Sequence, residues 1–247
     1  LNQITGKPDE PKKPICVANA GGKGMLGLKK LIIFVLAATV PWAVPVVRAG
    51  ADAADLNKVL KGIEQRYAGK VFKASFFQES MLKAMNITDT AEGYLIVKPP
   101  GKMRWEYTIP DAQSIITDGR SMWIYRPADR QVMVGKSPAF FGEGKGAGFL
   151  SDIGQIRKSF NVQLLPAQNE QYHRLKLIPL KAGPELTDLI LSVSWNTFRI
   201  DQVVTHNAYG DETRIILSDY QFGIQAEDAL FTFTIPEGVD VVQMEQF

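Results

Sequence analysis

Cysteine is nearly absent from this chain: of 247 residues only Cys16 carries a thiol, and only His173 and His206 carry an imidazole. A lone thiol closes no intramolecular disulfide, and a Cys-based zinc site needs more sulfur than the chain holds. Long apolar runs are scarce as well. The one continuous stretch, Leu31–Val47, is 17 residues long and broken by Pro41 and Pro45, which is short for a permanent membrane anchor. Strong charge of either sign is also missing, since 28 Lys/Arg against 26 Asp/Glu leave a net charge of +2.

The apolar stretch has the order of a secretory signal: Lys29 and Lys30, then the run, then the small residues Ala49-Gly50-Ala51. Residues 25–51 are therefore expected to be a cleavable signal peptide beginning at Met25. Residues 1–24, rich in Gly, Pro and Lys without an apolar period, read as an upstream or disordered leader. That leaves residues 52–247 as one domain. Residues 1–51 hold seven of the 28 basic side chains and two of the 26 acidic ones, so the domain itself carries −3 and has no electrostatic footprint for nucleic acid. With no cysteine of its own, it relies on its core alone in an oxidising compartment and offers no N-terminal thiol for lipidation.

The domain opens with one helical stripe. Leu56, Val59, Leu60, Ile63 and Tyr67 share a face, with Asp52 or Asp55 placed to cap the start and Gly69 just past the end. A single apolar face needs an apolar partner, and from Val71 onward the period falls to two. Phe72, Ala74 and Phe76 share one side of a strand, with Phe77 as an exception; Leu95/Val97, Met103/Trp105/Tyr107, Ile115/Thr117 and Met122/Ile124 follow as further same-face sets. Turns fall at Pro99-Pro100-Gly101, Pro110-Asp111 and Asp118-Gly119, the last a hairpin signal. Trp123 and Tyr125 oppose Met122 and Ile124, so the sheet is covered on more than one side or curved around an interior.

Residues 135–160 interrupt the strands. Six glycines surround Phe140, Phe141, Phe149 and Leu150, and a short helical piece with Ser151 as its cap carries Ile153 and Ile156. Two readings fit: a movable cover whose aromatics dock over an apolar hollow, or a surface loop with a few anchoring rings. Strand patterns resume at residues 161–165, 172–178, 189–195, 200–205 and 213–220. The alternation of Phe231, Phe233 and Ile235 before Pro236-Glu237-Gly238 predicts a last strand. Regular short strands and turns of this kind indicate a sandwich or barrel of about ten or eleven strands.

No catalytic constellation accompanies this pattern. His173 and His206 lie in separate strands without ligand spacing, and no serine sits in a nucleophile elbow. Gly142–Gly148 lacks the Gly-Lys-Ser/Thr ending of a phosphate loop and the surrounding βαβ unit. The carboxylate pairs Asp111/Asp118 and Asp211/Glu212 belong to turn chemistry. What remains is an apolar surplus that suits either a filled core or a cavity for an apolar ligand.

Phe76-Phe77-Gln78-Glu79, Gly93-Tyr94-Leu95, the run Lys98 to Tyr107, Pro110, Asp118-Gly119, Trp123-Ile124-Tyr125 and the closing run Phe231 to Val239, behind an exported N-terminal helix, together resemble the periplasmic outer-membrane lipoprotein carrier (LolA) family. The resemblance extends through nearly all of residues 52–247. It implies a mainly β fold: an open, incomplete antiparallel β-barrel with a lid of short α-helices over an apolar hollow, and no enzymatic activity. It further implies a periplasmic chaperone that binds acyl chains of triacylated lipoproteins and shuttles them from the inner to the outer membrane. The partners would be an inner-membrane ABC transporter and an outer-membrane lipoprotein acceptor, the protein being a monomer without metal or cofactor. Leu95, Val97, Met103, Trp105, Tyr107, Phe140, Phe141, Phe149, Leu150 and Ile153 are the expected cavity and lid residues. The family's lid-latching arginine has no counterpart at its usual place, where Pro99 stands. The nearest arginine, Arg104, either latches in another way or pairs with Glu106 on the sheet face. A periplasmic lipid- or lipoprotein-sensing domain of similar fold is the alternative.

Overall fold

Among the described residues twelve strands, most of them alternating in sequence, form one sheet, and a long helix lies on it. The structure, a computed structural model, describes residues 49–137, 149–150, 153–167, 171–181 and 183–244, with side chains from residue 55. Helix α1 (Ala49–Tyr67) leads into β1 (Phe72–Leu82), β2 (Ile87–Lys98), β3 (Lys102–Ile109), β4 (Gln113–Asp118), β5 (Ser121–Arg126) and β6 (Gln131–Lys136). A 3-10 turn, Ile153–Gln155, and the one-turn helix α2 (Ile156–Ser159) precede β7 (Phe160–Leu165), β8 (Tyr172–Pro179), β9 (Asp188–Ser194), β10 (Ile200–His206) and β11 (Glu212–Phe222). A second 3-10 turn, Asp228–Phe231, and β12 (Asp240–Gln243) complete the order. Among the described residues no helix is long and apolar enough to cross a membrane.

The strands lie in the order β12-β6-β5-β4-β3-β2-β1-β11-β10-β9-β8-β7. Every neighbour is antiparallel except β12, which runs parallel to β6. β7 and β12 are the two edges, so the sheet does not close on itself. Its curl appears in what packs together. α1 shares one buried cluster with residues of β1–β3 and of β8–β11, a span that a flat sheet would not bring to one helix.

Local chemistry places the turns. Pro99, Pro100 and Gly101 join β2 to β3 as the sequence predicts. Gly119, at φ 92°, opens the turn from β4 to β5, while the Asp118 carboxylate accepts the amide N–H groups of Arg120 and Ser121, each at 2.7 Å. Gly93 is dictated by close approach: a Cβ there would lie 1.8 Å from the carbonyl oxygen of Glu106, beside a bulge between Glu92 and Gly93.

Three expectations need correction. The helix starts at Ala49, upstream of both proposed capping carboxylates, so neither Asp52 nor Asp55 caps it. The strand count among the described residues is twelve rather than ten or eleven. And Phe231–Ile235 pairs with nothing as a strand. Phe231 ends a 3-10 turn and is fully buried, and the extended residues after it lay Phe233 on Tyr125, with ring centroids 5.1 Å apart. The last paired strand is Asp240–Gln243, four exposed residues with too short an alternation to register as a strand.

The segment that carries Phe231 covers the outer face of β3–β6. Cross-strand register puts Arg104, Ile116, Trp123 and Val134 on that face, and Ile116 and Val132 are fully buried there. Basic side chains fasten the segment: Lys98 Nζ and Lys102 Nζ meet the Asp228 carboxylate at 2.6 and 2.8 Å, Lys98 Nζ also donates to the Ala226 carbonyl at 2.8 Å, and Arg104 Nη1 donates to the Leu230 carbonyl at 3.2 Å. The expected cover on both faces is therefore present, with α1 inside and the C-terminal segment outside.

Candidate functional site: the covered inner face

Period-two alternation gives β1, β2 and β3 a common apolar side. Phe72, Ala74 and Phe76 align there with Leu95 and Val97, and these with Met103 and Trp105, all within 4 % of full burial. The other wall comes from Leu175 and Leu177 of β8, Leu189, Leu191 and Val193 of β9, and Ile200, Val203, Ile215 and Leu217 beyond them. Val59, Leu60, Ile63 and Tyr67 of α1 lie between the walls, and Phe149, Leu150, Ile153 and Ile156 complete the cluster.

Of the residues proposed from the sequence, Leu95, Val97, Met103, Trp105, Phe149, Leu150 and Ile153 thus meet in one cluster, with the partly buried Tyr107 packed against it. Phe140 and Phe141 lie outside the described residues. Arg104 is on the opposite face, its Nε 2.5 Å from Glu106 Oε1, so it touches neither α1 nor the inner cluster. Glu106 Oε2 in turn accepts from Ser114 Oγ at 2.6 Å.

α1 is held more firmly at its C-terminal end. The Tyr67 hydroxyl accepts the Ile200 amide N–H at 2.9 Å and donates to the Tyr220 hydroxyl at 3.4 Å, which donates to the Ile200 carbonyl at 2.6 Å. Burial pushes the Tyr67 phenol up to about 12 and raises that of Tyr220 as well. Phe72 and Phe222 pack their rings 5.3 and 5.4 Å from Tyr67, and the Arg66 guanidinium stands 4.0 Å over Phe222. One turn earlier, Phe198 presses on Gly62.

Elsewhere the cover is tied by surface polar groups. Arg157 of α2 reaches across to α1, its Nε 2.6 Å from Glu64 Oε1 and its Nη1 3.1 Å from Asn57 Oδ1. Both members of the ion pair are well exposed, which limits its contribution to about 0–1 kcal/mol. No sequence pattern marked Arg157, because i,i+4 rules see partners within one helix and this pair spans two. The β8–β11 wall does alternate in the sequence, but the alternation does not reveal that it faces β1–β3.

The inner face opens towards the turns at the β3–β4 end. Gln78, Tyr107, Gln113 and Arg126 help to line a groove of about 450 Å³ there. The Tyr107 hydroxyl donates to Gln78 Oε1 at 3.0 Å, and burial pushes its phenol up to about 12. His173 is stacked on Trp195 at 4.1 Å, with its pKa lowered by burial and then by Lys58, and His206 lies between Asp188 and Glu212 at 3.0 and 3.5 Å. His173 stands at the rim of the inner cluster, cross-strand from the buried Val193, whereas His206 alternates with the inward-facing Val203 and lies on the other face.

The fold and this face define a structural class, an open half-barrel whose apolar interior lies under helices. Residues 68–234 match the family described as outer membrane lipoprotein carrier protein LolA, and the chain belongs to that family. An outer-membrane lipoprotein carrier protein of Chromobacterium violaceum is 32% identical over 176 residues, covering 70% of this chain and 81% of the relative. One from Nitrosomonas europaea is 30% identical over 172 residues, covering 70% and 82%. Among solved structures, that of a LolA superfamily protein from Nitrosomonas europaea superposes with a TM-score of 0.44 at 16% identity, covering 72% of this chain and 97% of the other.

Proposed function

We propose that this protein is a periplasmic lipoprotein chaperone that receives the acyl chains of a triacylated lipoprotein between the inner face of the sheet and its helical cover. It would carry that cargo from an inner-membrane ABC transporter to an outer-membrane lipoprotein acceptor, as a monomer, exported by its signal peptide and making or breaking no bond. One observation carries the reading. A continuous apolar cluster joins both halves of an unclosed sheet to α1, while α2 holds α1 through an exposed polar contact rather than a covalent tie. Membership in the lipoprotein-carrier family supports it.

The energetics shape the mechanism. Each buried methylene contributes roughly 0.8 kcal/mol, so about twelve methylenes of acyl chain supply on the order of 10 kcal/mol before ordering costs. A site that kept all of that energy would not release its cargo. Here the inner side chains already pack on one another, with Leu95 and Val97 wholly buried. Cargo must therefore displace α1 and the packed side chains of Phe149, Leu150, Ile153 and Ile156, and the lost packing offsets part of the gain. Tyr67 and Phe198 fix the C-terminal end of α1, so the displacement is a swing from that end rather than release of the helix.

The test is to incubate the purified protein with a detergent-solubilised triacylated lipoprotein and with its delipidated form, followed by native and intact mass measurement. A one-to-one complex with the acylated form only, at unchanged cargo mass, is expected. Binding of both forms alike, or a loss of acyl mass, would overturn the proposal.

A further inference from the structure

The inner cluster contains one polar atom with nothing to bond. Trp105 is 4 % exposed, and its indole Nε1 is shielded from solvent without a hydrogen-bond partner. Two other buried side-chain atoms share that lack among the described residues, but both have charge or π contacts: Arg66 belongs to the guanidinium over Phe222, and Glu106 Oε1 faces Arg104. The side chains packed around Trp105 are apolar or aromatic, and none accepts its N–H. Phe76 lies 5.0 Å away between ring centroids, Leu95 and Ile115 are its cross-strand partners, and Met103 is two residues deeper on the same face. The nearest polar pair on the ladder, Tyr107 and Gln78, is already bonded to itself.

Position along the strand makes this unmet donor informative. Met103, Trp105 and Tyr107 succeed one another on one side of β3, from full burial at Met103 to the open groove at Tyr107. An acyl chain entering from the groove with its hydrocarbon leading would bring its head-end carbonyl past Tyr107 towards Trp105. A buried donor left unpaired is unfavourable, and an incoming acceptor removes that cost, so the site discriminates for a carbonyl beyond what hydrocarbon burial supplies.

We propose that the Trp105 indole N–H donates a hydrogen bond to the acyl carbonyl of bound cargo, setting the depth at which the chain stops. This rests on the chaperone reading above and adds a polar specificity residue to it. The carbonyl is either the ester of a diacylglyceryl group or the amide of an N-linked acyl chain.

Three probes of equal chain length separate the cases: a diacylglycerol, its dialkyl ether counterpart without a carbonyl, and an N-acyl amino-acid amide. Replacement Trp105→Phe keeps an aromatic ring and removes the donor. Affinity for the carbonyl probes is expected to fall about three- to tenfold while the ether is unaffected. A loss confined to the ester or to the amide assigns the source. Equal loss for all three probes, or no loss, overturns the inference. Because the variant could pack poorly, the indole N–H resonance of Trp105 in the unmutated protein gives a second readout. It should move downfield with a carbonyl probe and not with the ether, and the same response to both would likewise overturn it. Failure of every probe to bind the unmutated protein would sink the chaperone reading and this inference with it, whereas binding without carbonyl preference sinks only this inference.

Discussion

Phe198 lies so close over Gly62 that a Cβ added to the glycine would stand 2.4 Å from the ring's Cδ1. The helix and the β9–β10 turn thus meet with no space for a methyl group, and this contact sits beside the Tyr67 network at the fixed end of α1. Gly62→Ala is expected to destabilise the fold by about 1–3 kcal/mol through overpacking, outweighing the roughly 1 kcal/mol that alanine gains as a helix former. The displaced helix should also take up an acyl probe faster. Denaturant midpoints and stopped-flow probe binding measure both, and unchanged values for the pair would show that the helix is not held there.

Arg157→Ala removes the tie between α2 and α1. Its ion pair with Glu64 is exposed, so global stability should change by less than about 1 kcal/mol. Probe association should quicken nonetheless and become less sensitive to salt, because opening no longer breaks a charged contact. Rates measured across an ionic-strength series decide this, and an unchanged salt slope counts against a role in opening.

Inner and outer apolar residues should respond differently to truncation. Met103→Ala and Ile116→Ala both empty fully buried positions and are each expected to cost about 2–5 kcal/mol. Only Met103 faces the proposed cargo space, so its variant should alter acyl-probe affinity or capacity while the Ile116 variant leaves both near the original. Equal effects of the two substitutions would mean that probe binding does not use the inner face.

Acid should loosen the outer segment last. Lys102 and then Lys98 hold the Asp228 carboxyl down to about 2, below its ordinary value of 3.8. Because folding depresses this pKa, the clasp's contribution is complete above the ordinary value and is lost as pH falls through about 2. Carbon resonances of the Asp228 side chain followed from pH 5 downward should titrate late, and Asp228→Asn should free the segment already at neutral pH, as read by hydrogen exchange at residues 228–233. A normal midpoint would mean that the clasp does not form in solution.

At the alkaline end, Tyr67 and Tyr107 should ionise near pH 12 rather than near 10, since burial raises both phenols. A raised phenol pKa favours the folded state in full below the ordinary value and loses that contribution as pH climbs through about 12. Tyr220 is raised as well, so ultraviolet difference titration should resolve three late-ionising tyrosines, and the Tyr67→Phe variant should show one fewer. Its absence from that late phase would place Tyr67 in contact with water.

The sheet was legible where one residue type alternates against another. Phe72/Ala74/Phe76, Leu95/Val97 and Met103/Trp105/Tyr107 share their predicted sides, and the helical stripe from Leu56 to Tyr67 turns its Val59, Leu60 and Ile63 inward as its spacing demands. Alternation reports an extended backbone, however, and not a bonded neighbour. Phe231, Phe233 and Ile235 alternate because the segment drapes over Ile116 and Tyr125, so a strand was expected where none is paired. β12 went unrecognised for the opposite reason, four exposed residues carrying no inward side. Arg157 and the unpaired Trp105 N–H were invisible because each depends on which remote groups arrive or fail to arrive.

The neighbours of β1 have a further consequence. Its partner β11 lies some 140 residues away in sequence, whereas β2–β6 and β7–β11 are chains of adjacent antiparallel strands. Each run can therefore form from local contacts, while the seam between them waits for the last long strand to be made available, a slow closure of the kind that high contact order imposes. Until then β1 stands as an unpaired edge displaying Phe72 and Phe76. A chain that emerges N-terminus first would need that edge shielded during its maturation, and substitutions in β11 should reduce the yield of folded protein more than their effect on its final stability implies.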